Sequence, residues 1–181
     1  MILKNKRVLN SLTAIILIGV FTLYLTDIMN RPYGNDKKSI VKVINTIDGY
    51  ENGKIEILEI KDINDDRVVG FLFNNHPAYI QFTKDKKGNY RWTHIEKREG
   101  ESFVPFLINI FASESPILKF MIITNKENEI SKMELDVDGK VIEQDYSVNQ
   151  QSISWIDVPQ GKSHEFKYKY FDKYGNPIGG N

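Results

Sequence analysis

The sequence predicts an α+β fold with an N-terminal transmembrane helix, one amphipathic helix with an antiparallel meander, and a C-terminal immunoglobulin-like β-sandwich module. Three observations support this prediction. Val8–Leu25 is an almost unbroken apolar run, a single later segment has helical periodicity, and the remainder alternates short apolar stretches with turn residues. We therefore divide the chain into a cytoplasmic basic tail (1–7), an anchor (8–25), a linker (26–35), a helix-plus-meander unit (36–100) and a β-rich unit (101–181).

The N-terminal run has the length of a membrane span. Val8–Leu25 contains no charged residue, and as a helix it would extend about 27 Å, close to the thickness of the bilayer hydrocarbon. A cleaved signal peptide is the alternative, but Thr22–Asp27 offers no small-residue cleavage site. Three basic residues precede the run: Lys4, Lys6 and Arg7. We expect an uncleaved single-pass protein of the cell membrane, with a cytoplasmic N-terminus and residues 27–181 outside the cytoplasm.

Charge and cysteine content narrow the function classes. The chain has 24 basic and 24 acidic residues, and all acidic residues follow the anchor. Without the three basic residues of the tail, the outer part has about three more negative than positive charges, which argues against a nucleic-acid partner. The chain has no cysteine, so disulfides, a thiol nucleophile and a thiolate metal site are excluded. We expect neither a cofactor nor a metal.

The linker ends in a breaker cluster, Arg31–Asn35, and a helix should follow it. Asn35 or Asp36 can cap this helix, whose apolar residues recur at helical spacing: Ile40, Val43, Ile44 and Ile47. Four strand signals separated by turn residues come next: Lys54–Ile63, Arg67–Phe73, Ala78–Thr83 and Tyr90–Ile95. A helix followed by a four-strand meander is a plausible α+β unit.

The C-terminal part continues with short strands. Asp138-Gly139 is a strong two-residue hairpin signal between two of them. Two strongly apolar stretches, Phe103–Phe111 and Ile117–Thr124, come first, and the strand signals Ile130–Val137, Lys140–Tyr146, Ser152–Val158 and Glu165–Phe171 follow them. Short strands at this spacing are typical of a small immunoglobulin-like sandwich.

Two stretches carry a family resemblance. They are Lys87–Trp92 and the terminal Phe166–Asn176, which ends in an aromatic-Asp-x-x-Gly turn. The layout resembles that of uncharacterised single-pass membrane-anchored extracytoplasmic proteins of Bacillus-type Gram-positive bacteria. The resemblance implies a location in the cell envelope and a two-unit architecture, and it carries no catalytic residues with it.

Two surfaces are candidate binding regions. Phe103–Phe111 is strongly apolar, and Pro105 within it argues against a central strand. The segment is either a buried core crossing or a protein-contact patch formed by Phe103, Val104, Phe106, Leu107, Ile108 and Phe111. In the last long strand, Lys167 and Lys169 alternate with aromatic residues and are expected to protect a sheet edge.

Catalytic signals are weak. His76, His94 and His164 lack partners at metal-ligand spacing, and Asp62–Asp66 matches only the start of a calcium loop. We expect no catalytic residues. We expect a non-enzymatic binding or assembly module at the cell envelope, whose partner is a membrane or envelope protein. Recognition would use sheet faces or edges. The alternatives are an envelope hydrolase with dispersed carboxylates, or a ligand-sensing domain that acts laterally.

Overall fold

The structure is a computed structural model, and it describes residues 15–22, 32–111, 116–161 and 163–179. It is mostly β-sheet with two short helices, which confirms the coarse fold class. Residues 15–22 form helix α1, whose described apolar side chains are exposed. The remainder of the predicted span Val8–Leu25 lies outside the described residues. Within the described part of the chain, no helix has both the length and the apolar character needed to cross a membrane.

Residues Tyr33–Asn181 form one compact unit, which begins with the expected helix and meander. Helix α2 (Lys37–Ile44) is capped by Asp36, whose carboxylate accepts from the Ser39 amide at 2.8 Å. Ile47 falls beyond the helix end. The meander, sheet I, has the order β1-β2-β3-β4, with strands β1 (Ile55–Ile63), β2 (Asp66–Phe73), β3 (His76–Lys84) and β4 (Tyr90–Lys97).

Two further sheets complete the unit. Sheet II has the order β5-β6-β9, with β5 (Phe103–Ile110), β6 (Ile117–Thr124) and β9 (Ser152–Asp157). Sheet III has the order β11-β10-β7-β8, with β7 (Lys132–Val137), β8 (Lys140–Asp145), β10 (Phe166–Phe171) and β11 (Pro177–Ile178). Among the described strands, β5 pairs only with β6, so Pro105 lies in an edge strand, as its missing amide hydrogen requires. The Asp138-Gly139 turn joins β7 and β8, with φ of 54° and 86°.

Some boundaries differ from the sequence prediction. Strand β7 begins at Lys132 rather than Ile130, because the residues before it belong to a loop held by hydrogen bonds to Asn128. The two-residue strand β11 was not expected. It pairs Tyr170 with Ile178 and Phe171 with Pro177.

The layers enclose three apolar cores. The first lies between α2 and sheet I, the second between sheets I and II, and the third between sheets II and III. Strand β6 contributes to two of them, because Met121 and Ile123 belong to the second core while Phe120 and Ile122 belong to the third. The second core contains residues from both sides of position 100, so the predicted units 36–100 and 101–181 share buried surface.

Polar contacts fix where the chain enters this unit. Arg67 makes a two-pronged contact with Asp62, at 2.6 and 2.8 Å, and donates to the carbonyl oxygens of Gly34 and Asn35. Its guanidinium stacks 3.9 Å from the centre of the Tyr90 ring. Asp62 and Arg67 flank the β1–β2 turn, and we call this end of sheet I the entry end. The β2–β3 turn at Asn74 and Asn75 lies at the opposite, far end.

Sheets I and II approach each other closely at Gly70, so any side chain introduced there should lower the free energy of unfolding. A Cβ at this position would lie 2.3 Å from Cδ1 of Ile153 and 3.2 Å from Cδ1 of Ile123. Gly70→Val should lower the free energy of unfolding by about 1–3 kcal/mol through overpacking, although valine favours strands. Urea unfolding measures the change. Glu143→Val, at an exposed strand position, is the matched control, and an equal effect of both variants would contradict this explanation.

Candidate functional site

Three loops meet at the far end and line a cleft. They connect β6 to β7, β8 to β9, and β10 to β11. Asn125 donates to the carbonyl oxygen of Asn75 at 2.8 Å, and Asn75 donates to the Glu127 carboxylate at 2.9 Å. These two hydrogen bonds place the first loop beside the β2–β3 turn. The cleft is therefore about one strand length, roughly 27 Å for eight residues, from the entry end.

Asn128 holds two of these loops together from inside. Its side chain is fully buried, and its amide donates to the carbonyl oxygens of Ile130 at 2.9 Å and Ser147 at 3.2 Å. Its side-chain oxygen accepts from the Ile130 amide, and its carbonyl accepts from the Asn149 amide at 2.7 Å. A single buried amide thus satisfies backbone groups of both loops.

Asp172 braces the third loop. One carboxylate oxygen accepts from the backbone amides of Tyr174 and Asn176, each at 2.8 Å, and the other accepts from the Asn176 side chain at 2.9 Å. The Asn176 side-chain amide and then the turn amides lower the pKa of Asp172 below its usual value. Gly175, with φ of 82°, lets the turn close tightly. The turn projects Tyr174 into solvent, where it is 77% exposed.

The cleft between the loops has a volume of about 330 Å³. Its lining combines an aromatic ring, a cation, two carboxylates, an amide and one aliphatic side chain: Glu129, Val148, Asn149, Asp172, Lys173 and Tyr174. The Lys173 ammonium lies 5.0 Å from the centre of the Tyr174 ring. An exposed aromatic face surrounded by hydrogen-bonding groups suits a polar ligand that also presents an apolar face.

The surroundings of Asp172 oppose a role for this residue as a general acid. A general acid in a glycosidase needs a raised pKa, whereas the pKa of Asp172 is lowered and its oxygens already accept hydrogen bonds from the turn. Among the described residues, no group of three or more His, Asp or Glu side chains is placed to hold a metal ion.

The predicted protein-contact patch separates into a buried and an exposed part. Phe103, Val104, Phe106 and Ile108 are 0–6% exposed and belong to the cores, so they present no surface. Leu107 and Phe111 are 41% and 78% exposed. The segment is therefore mainly the core crossing that the sequence allowed, with two apolar side chains left uncovered.

The predicted edge lysines lie on the outer face of sheet III. Strand β10 pairs with β7 along its length but with β11 only at Tyr170 and Phe171, so Phe166–Lys169 have one side unpaired within the described strands. Lys167 lies opposite Asp136 and contacts the Glu165 carboxylate at 3.1 Å. Lys169 lies opposite Glu134. These opposite charges describe a solvated, charge-paired face.

The three histidines have separate local partners. The His76 ring accepts from the Gly100 amide at 3.3 Å, His94 lies 3.8 Å from the Glu96 carboxylate, and His164 lies 2.6 Å from Asp138. In the Asp62–Asp66 segment, Asp62 binds Arg67 and Asp66 accepts from Thr83 at 2.5 Å. Both carboxylates are therefore engaged by neighbouring side chains.

Sequence reasoning missed the loop cleft. The terminal turn was visible in Asp172-Lys-Tyr-Gly-Asn176, but no local pattern marks Asn128 as the residue that joins distant loops. Comparison of the chain with family models, with curated proteins and with solved structures finds no match.

Asn128→Ala should loosen the cleft. The substitution removes three part-buried hydrogen bonds to the backbone of Ile130 and Ser147, so the free energy of unfolding should fall by about 1–3 kcal/mol. Chemical denaturation gives this value. Glu129→Ala, at the neighbouring exposed position, should change it by less than about 0.5 kcal/mol, and similar losses for both would refute the role of Asn128.

Acid should weaken the Asp172 turn. A carboxyl whose pKa is lower in the folded state stabilises the fold above its unfolded pKa, near 3.8, and this contribution disappears as pH falls through the folded value. The Asp172→Asn variant should therefore lose less free energy of unfolding than the parent chain between about pH 5 and about pH 2, the range in which the carboxyl takes up its proton. Equal losses in both proteins would exclude this contribution.

Proposed function

We propose that this protein is a membrane-anchored, extracytoplasmic binding module of the cell envelope that recognises its partner through the loop cleft. The single observation that carries the binding role is the cleft itself, where the buried Asn128 and the braced Asp172 hold three loops around an exposed Tyr174. Preorganised loops that present an aromatic anchor reduce the entropy lost on binding.

The anchor is Val8–Leu25, with the N-terminus in the cytoplasm and residues 27–181 outside. The charge-free run and its basic flank support this assignment. In helix α1, the apolar residues Ile15, Leu17 and Phe21 are 60–65% exposed. Such exposure is unfavourable in water and suits a lipid environment. The resemblance to Bacillus-type envelope proteins agrees with this location.

The strand order supports an immunoglobulin-like assignment for residues 101–181. If β5 is strand A, the two sheets read A-B-E and C′-C-F-G, with β7 as C and β10 as F. In this arrangement the β6–β7 and β10–β11 connections are the B–C and F–G loops. Antibody variable domains bind antigen through loops at the corresponding end of their sandwich, so the fold has a precedent for recognition there.

Photo-crosslinking in living cells tests the binding role. A photoreactive residue at Lys173 should capture a discrete envelope component, while the same residue at Val141, an exposed position on β8, should not capture it. Tyr174→Ala should reduce the capture from position 173 at least about tenfold, the effect of losing about 1.4 kcal/mol of binding free energy.

The same cells supply the controls. The abundance and melting temperature of the Tyr174→Ala variant should match those of the parent, because the ring is exposed. Equal capture from positions 173 and 141, or capture unaffected by loss of Tyr174, would refute the loop cleft as the binding site. External protease should degrade residues 27–181 on wall-free cells, and full protection would refute the proposed orientation.

A further inference from the structure

Phe111 is a largely exposed phenylalanine at the end of the compact unit where the chain enters. Phe111 follows β5, and Leu107 and Asn109 precede it on the same face of the strand. All three are exposed, and we call them the hairpin tip. Leu107 lies opposite Phe120 of β6, so the tip extends an apolar face of sheet II beyond the part that belongs to the third core.

Hydrogen bonds fix the direction of β5. At its start, the Ser102 carbonyl accepts from the Asn125 amide at 3.0 Å, and Asn125 in turn donates to Asn75 at the far end. Near its other terminus, the Asn109 carbonyl accepts from the Gln81 side chain at 3.0 Å. Gln81 also contacts Asp66, the residue next to the Arg67 that binds Gly34 and Asn35. The hairpin tip therefore lies at the entry end.

In the proposed topology, the length of the linker limits how far the entry end can lie from the bilayer. Residues 26–32 separate the proposed span from Tyr33, and seven fully extended residues reach about 25 Å at most. A tether this short gives a weak surface contact a high effective concentration, so a modest apolar contact becomes populated. Phenylalanine and leucine at such a surface remove apolar area from water without needing a charged headgroup, which suits this mildly acidic outer part.

We propose that the hairpin tip inserts Phe111, with Leu107 beside it, into the interfacial region of the same membrane that holds the anchor. The contact holds the entry end against the lipid and directs the loop cleft, at the far end, away from it. This inference rests on the proposed anchor, and its occupant is the lipid surface rather than a protein.

Spin labels measure the contact in the full chain. Because the chain has no cysteine, a nitroxide can be attached at a single introduced cysteine in Asn109→Cys or Lys173→Cys. Both positions are exposed, one at the tip and one at the cleft. The full chain is placed in phosphatidylcholine nanodiscs, and the accessibility of each label to oxygen and to a water-soluble nickel complex is compared. The ratio of oxygen to nickel accessibility should be severalfold higher at position 109 than at 173.

A second substitution isolates Phe111. Asn109→Cys combined with Phe111→Ser should lower the ratio at 109 to the value at 173, while the melting temperature stays unchanged because Phe111 is largely exposed. If the chain enters the nanodiscs but the label at 109 remains as accessible to nickel as the label at 173, the inference is wrong and the anchor stands.

Other outcomes identify other causes. A ratio that stays high without Phe111, or spin–spin broadening at 109 that shows a second copy covering the tip, also overturns the inference. If the full chain fails to enter nanodiscs and elutes like a variant that lacks residues 1–26, the anchor itself has failed.

Discussion

Burial of strands β2 and β6 on both faces is the constraint on which the rest of this fold depends. In β2, Val69 and Phe71 face α2 while Val68 and Leu72 face sheet II. In β6, successive residues alternate between the second and third cores. Each large apolar side chain buried in this way contributes about 1.5–3 kcal/mol, so neither sheet I nor the sandwich can separate without exposing a core. Gly70 allows the two sheets to approach.

This packing gives the unit two distinct ends. The strands of sheets I and II are tied at the far end through Asn125 and Asn75, and near the entry end through Gln81 and Asn109. As a result, the residues that receive the chain lie at one end of sheet I, and the loops that form the cleft lie beside its other end. In the proposed function, one end serves attachment and the other serves recognition, and neither needs a catalytic group.

Local patterns account for what the sequence could predict. The capped helix, the meander and the Asp138-Gly139 hairpin all depend on contacts between residues that are close in sequence, so local sequence patterns predict them. The sequence left two alternatives for Phe106 and Ile108, a buried core crossing and a protein-contact patch. An apolar edge strand has the same sequence pattern whether or not another sheet covers it. The cleft could not be predicted, because Glu129 and Asp172 are distant in sequence and line one cleft through the pairing of β10 with β7 in sheet III.

Native-state hydrogen exchange of the full chain in detergent micelles tests the shared packing most directly. If the two-sided strands unite the outer part, the slowest amides of β2, β3, β6 and β7 should all exchange with one opening free energy, equal to that of global unfolding. A lower opening free energy for the strands of sheet III than for those of sheet I, by more than about 1 kcal/mol, would show that the sandwich opens independently and would contradict this account.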